Sequence, residues 1–185
     1  MGIMRQNLYR IVTALSLMVG NSLPLAAQSE IEPLLEELKS AEKQRAVQIV
    51  REVEREWGLS GSTSVDMLLR RGHEAMEEED WTLAIEHLTA VTDHAPDFAE
   101  GWHARATAFF QSGKIGPAIA DLQRALALNP DNWNAIYGLG IVFQEMGDHV
   151  RAADAFQMTL DLHPHHENAT EALKQVQRFG VGQTL

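Results

Sequence analysis

Residues Leu126–Trp133 read LALNPDNW. Helix-forming residues run into an asparagine–proline pair, then an aspartate–asparagine pair, then a tryptophan that opens a new apolar pattern. Proline has no amide hydrogen with which to continue a helix, and it pushes the residue before it out of the helical region. Asparagine and aspartate favour turns and helix starts. The stretch is therefore a junction between two helices, and it recurs. Pro96, Pro130 and Pro164 stand 34 residues apart, in the contexts DHAPDF, LALNPDNW and LHPHHE.

Working outward from each proline, the phase holds through a whole unit. Ala84, Ala118 and Ala152 occupy one equivalent position, and the large apolar Leu88, Leu122 and Phe156 another. Gly72, Ala106 and Gly140 are very small; Leu68, Trp102 and Ile136 are large again. Gly113 and Gly147 fall between the two halves of their units, where Glu79 stands in the first. Alternating large and very small residues at helical spacing predict two helices whose backbones approach closely at the small positions. A glycine between them suits the left-handed residue that ends a first helix.

A repeat of this length and pattern resembles the tetratricopeptide repeat (TPR) family. The resemblance covers Val65–His166 as three units, Val65–Phe98, Ala99–Asn132 and Trp133–His166. It implies an all-α fold: a right-handed α-solenoid of three helix-turn-helix units. Two departures stand out. The family's usual leucine before the small residue is Arg71 and Arg105 in the first two units, with only Leu139 fitting, and Thr159 replaces the alanine typical near the end of the third.

A stack of three units needs covers for its ends. Residues 28–64 hold Leu34, Leu38, Ala46, Ile49, Val50, Val53 and Trp57 at helical spacing, as one long amphipathic helix or two short ones. This segment is expected either to lie in the groove as a self-ligand or to cap the first repeat. A linker, GLSGSTS, follows, with Ser64 or Thr63 expected to cap the first repeat helix. Residues 167–185 place Ala169, Leu173 and Val176 on one stripe, as a capping helix with a short tail. Before all of this, Met1–Ala27 carries Arg5 and Arg10, then a short apolar run and small residues, the order of a secretory signal peptide. Cleavage is placed after Ala27, and retention as an anchor is the alternative. The expectation is a secreted or periplasmic protein with no stable membrane span once the leader is removed.

The full chain of 185 residues has a formal charge of −11 and no cysteine. Losing Arg5 and Arg10 takes the charge to −13. An acidic surface repels phosphate, which argues against nucleic acid as a partner. Without cysteine there is no disulfide, thiol nucleophile or lipidated cysteine. No constellation of nucleophile and base stands out, so the chain reads as a non-enzyme with no cofactor. His163, His165, His166 and Glu167 form the densest group of metal-binding types, but His165 and His166 are adjacent and diverge on any helix, so no metal site is assigned. A metal-binding protein using residues 163–167 is the alternative function, and self-association as a structural protein is a third.

What the TPR resemblance implies is recognition: first helices line a concave groove that holds a peptide or partner helix. In this sequence those positions are Leu69, His73 and Met76, then His103, Thr107 and Phe110, then Tyr137, Ile141 and Gln144. Asp66, Glu77, Glu100, Gln111, Asn134 and Glu145 fall at the edges of that face. The lysine and arginine with which some TPR proteins grip a C-terminal carboxylate are missing from these places. An apolar centre with an acidic rim suits a protein or peptide partner bearing hydrophobic anchors and basic residues.

Overall fold

In a computed structural model, residues 25–182 are described, with side-chain surroundings for residues 31–178. The leader assignment, apart from Leu25–Ala27 in the first turn of the first helix, lies outside the described residues. Among them are nine helices and no strand: α1 Leu25–Leu38, α2 Lys43–Trp57, α3 Thr63–Glu77, α4 Trp81–His94, α5 Ala99–Gln111, α6 Ile115–Leu128, α7 Trp133–Glu145, α8 His149–Leu162 and α9 Glu167–Gly182. None of these is long and apolar enough to cross a membrane. Helices α3–α4, α5–α6 and α7–α8 pair, each pair packs on the next, and α9 covers the last.

The pairing rests on the small positions. A Cβ placed on Gly72 would stand 2.6 Å from Leu88, and one on Gly140 would drive into the Phe156 ring. Ala106 fills the same place in the middle unit and is buried. Leu88 and Phe156 have no exposed surface, and each such burial stabilises by about 1.5–3 kcal/mol. The turns follow the residue types. Gly113 and Gly147 have φ of 77° and 75°. Glu79, equivalent in the first unit, is held at φ 57°, a region that a side chain enters only at a cost of roughly 1–3 kcal/mol. Asp80 and Asp148 cap α4 and α8 by accepting the amide hydrogens of Leu83 and Arg151, and Asn132 caps α7 through Ala135.

Two expectations need correcting. Helix α3 begins after Ser62, so Thr63 lies inside it, and its start carries no side-chain cap. Asp66 instead fixes the linker, accepting from the Ser60 amide at 2.9 Å and the Ser60 hydroxyl at 2.5 Å. The core of the N-terminal segment is shared with the third repeat and not with the first. Of the two forms expected the segment takes the second, two helices broken at residues 39–42, and Ile31, Leu38, Ala46, Ile49 and Val53 form a common core with Trp133 of the third repeat. Trp57 meets Trp133 with ring centroids 4.4 Å apart.

Arg105, one of the departures, has a local partner. Its guanidinium reaches Asp121 through two hydrogen bonds of 2.7 and 3.0 Å and Thr92 at 2.8 Å, beneath the surface between α4, α5 and α6. The third unit has Leu139 and Ala155 at the two equivalent positions, an apolar pair in place of an ionic one.

Two outcomes follow. Gly140→Ala should lower stability by about 1–3 kcal/mol in chemical denaturation, since the rigid Phe156 ring cannot yield as a flexible chain end could, and Phe156→Leu in the same chain should restore part of it. Asp121→Ala should cost about 2–4 kcal/mol by leaving a part-buried guanidinium without its counter-ion, whereas Arg105→Leu with Asp121→Ala, copying the third unit, should recover most of that loss.

Candidate functional site

First helices α3, α5 and α7 carry the nine residues assigned to the groove, and the fold treats them differently. Leu69 is buried in the first repeat's core, with Met76 partly buried against it. Phe110 packs on the core between the second and third repeats. Tyr137 and Ile141 pack on the core that joins α8 to α9. Thr107 is exposed, with its hydroxyl bonded to the His103 carbonyl. Gln144 is half-buried, and its side-chain oxygen is closed to water without a hydrogen-bond partner. Much of the apolar content assigned to the groove thus also serves the packing of the repeats.

The structure brings some of these residues together through the N-terminal hairpin α1–α2. Leu69 and His73 line one cavity of about 330 Å³ with Glu54, Trp57, Glu100 and Asn134. The Glu54 carboxylate in α2 accepts from the Asn134 amide at 2.8 Å and from the Trp133 indole N–H at 3.4 Å. It therefore ties the hairpin to the start of α7. His103 meets Glu100 with Nδ1 3.2 Å from the carboxylate. Burial works against its charged form, but the negative charges of Glu100 and Glu54 outweigh it and raise the His103 pKa. That histidine reports a negative field at this end of α5.

Sequence reading missed Glu54 and Trp133 as parts of this face. The signal was present as an amphipathic stripe on α2 and a tryptophan opening a repeat. What joined them is a tertiary contact across 79 positions.

The histidine-rich turn sits at the other end of the same hairpin. His165 Nε2 lies 2.8 Å from the Ala41 carbonyl and donates to it, and Lys43 pairs with Glu167 at 2.6 Å. His166 Nδ1 accepts the Ala169 amide hydrogen at the start of α9, and its ring lies 4.9 Å from Tyr137. His163 rests edge-on to Trp133 at 5.6 Å and to His166 at 5.4 Å. Its Nδ1 is closed to water with no partner. These nitrogens cap, bridge and pack. Among the described residues, no group of three or more histidine, aspartate or glutamate side chains is placed to hold a metal ion.

Comparison with known proteins adds the lineage. The family description "TPR repeat" matches residues 106–147, and "Tetratricopeptide repeat" matches residues 69–115 and 134–166, together more than half of the chain. A TPR repeat-containing protein of Rhizobium etli is 26% identical over 150 residues, covering 80% of this chain and 74% of that protein. Other curated relatives are far longer, and the chain spans about a quarter of their length or less. The crystal structure of MamA aligns with a TM-score of 0.60 at 29% identity, covering 76% of this chain and 83% of that one. The first TPR of Spaghetti (RPAP3), bound to the HSP90 peptide SRMEEVD, aligns with a TM-score of 0.61 at 23% identity, covering 63% of this chain and 93% of that one.

Protons should loosen the histidine turn. Burial, with His166 and His165 alongside, depresses the His163 pKa from 6.5 to about 4. Burial also lowers that of His166, against the partial opposition of its backbone hydrogen bond and Glu54. Glu167, the other carboxylate at the turn, is tied to Lys43. Groups depressed in the fold take up protons more readily when unfolded. Their stabilisation is therefore present above pH 6.5 and is lost as pH falls towards about 4. His103, with its raised pKa, acts in the opposite sense and loses its contribution as pH rises. The melting temperature should drop between pH 6.5 and 4 by the equivalent of about 1–2 kcal/mol, allowing for solvent at this half-buried turn, and His163→Phe should flatten the profile.

Proposed function

The chain belongs to the tetratricopeptide repeat family, and on that premise we propose that it is a non-enzymatic adaptor or assembly factor that binds a peptide segment or helix of another protein. The observation that carries the reading is the stacking of α3, α5 and α7 on one another; the nine groove positions are proposed to lie along that face, with acidic and amide side chains at its edges. Among those nine positions there is no lysine or arginine. A partner with basic residues and one or two apolar anchors complements such a face. The Spaghetti TPR supports peptide recognition as a use of this fold. Its SRMEEVD ligand is acidic, so a ligand of that charge would be the wrong one here.

The proposed place is the cell envelope. The support is the basic start, short apolar run and small residues of Met1–Ala27. Edman sequencing or mass spectrometry of the exported protein should find Gln28 as its first residue; an intact Met1 there would refute cleavage.

Phe110 and Tyr137 are poor test positions because both pack against cores. Thr107 is exposed in the middle of the layer. Thr107→Arg should abolish capture of the partner from envelope extract by the tagged chain, while changing stability by less than about 0.5 kcal/mol. The same proteins captured by wild type and variant would remove the site from the groove.

A further inference from the structure

The hairpin α1–α2 and the solenoid enclose two neighbouring hollows, and Trp57 and Glu100 belong to the walls of both. One is the cavity of about 330 Å³ described above, whose lining includes Glu54 and Glu100 and no lysine or arginine. The other, about 480 Å³, lies between the hairpin and the turn joining α4 to α5. Its walls include Ile31, Trp57, Leu59, Pro96, Phe98 and Leu128, and this volume is in the range that holds a small organic group or a large side chain. Asn132 is also in the wall of the larger hollow. It is 1% exposed, and its side-chain nitrogen has no hydrogen-bond partner. That nitrogen is closed to water, so it marks tight packing beside the hollow and is not itself a contact open to a ligand. Burial disfavours the charged form of the neighbouring His103, but Glu100 and Glu54 raise its pKa overall, the sense expected beside two carboxylates.

We infer that these hollows form one two-compartment cleft that binds a peptide presenting a large apolar side chain beside a basic one. The apolar side chain fills the larger hollow beside Asn132, and the basic group lies between Glu54 and Glu100. This deepens the reading of the chain as a peptide binder and rests on it, but it moves the specificity from the repeats alone to the seam between the repeats and the hairpin. The hairpin is then a wall of the site and not a plug in the groove.

The probe is the capped dipeptide acetyl-Leu-Arg-amide, followed on the full chain by ¹H–¹⁵N correlation spectra of the Trp57 indole N–H and the Asn132 side-chain amide. Acetyl-Leu-Glu-amide and acetyl-Gly-Arg-amide are the controls. Saturable shifts of both signals with Leu-Arg are expected, weakened about tenfold by the Leu-Glu swap and by Glu54→Gln with Glu100→Gln. Ala99→Phe, which enters the larger hollow, should remove the response; a melting curve checks that this variant folds, and the Glu54→Gln/Glu100→Gln pair carries the test if it does not. No saturable shift at Trp57 or Asn132 overturns the proposal, as does an equal response to Leu-Glu or to Gly-Arg. Shifts confined to the surroundings of Thr107 would also overturn it while leaving groove binding intact. Shifts at Trp57 and Asn132 that persist in Thr107→Arg would uphold the cleft even if the groove reading fails.

Discussion

The interlock of a very small residue with a large one is the constraint on which the other contacts depend. Gly72 against Leu88, Ala106 against Leu122 and Gly140 against Phe156 set how near two helix axes can come. Once that distance is set, the positions three and four residues away can close the layer, and the same geometry recurs at the next unit. Nothing about the interlock depends on charge. The acidic surface is therefore free to vary with function while the stack stays fixed, which is a property expected of solenoids.

This constraint also explains why the fold was legible. Proline at a fixed spacing, with small and large residues in phase, is a one-dimensional signal, and the helices α3 to α8 follow it closely. Gly113 and Gly147 announced their turns by identity; Glu79 could be recognised only by its place in the repeat. The candidate face was less legible because it depends on which side of each helix meets another. Phe110 and Ile141 look like groove residues by phase, yet both also pack the repeats. Arg105 read as a departure until Asp121 appeared sixteen positions away in the next helix. The role of Glu54 lay furthest from reach, since no local pattern ties it to Asn134.

Eight histidines invite a chemical reading, and the structure gives much of that content to architecture. His166 stands where serine or aspartate would cap α9, and His165 holds the hairpin's turn. A cap made from imidazole has one property that a hydroxyl lacks: it fails when protonated at the accepting nitrogen. The choice of capping residue therefore adds to the acid sensitivity that the buried His163 gives the turn.

Trp133 has a further consequence. Repeat stacks are ordinarily assemblies of neighbours, so an end can fray while the middle holds. Here the amino-terminal helices are fastened to a residue roughly eighty positions downstream, which turns a linear zipper into a closed loop. Fraying of the third repeat must strip the cover from Ile49 and Val53, and loss of the hairpin must bare Trp133. The two ends thus report on each other, and melting should be more all-or-none, and folding slower, than for a string of independent units of the same length.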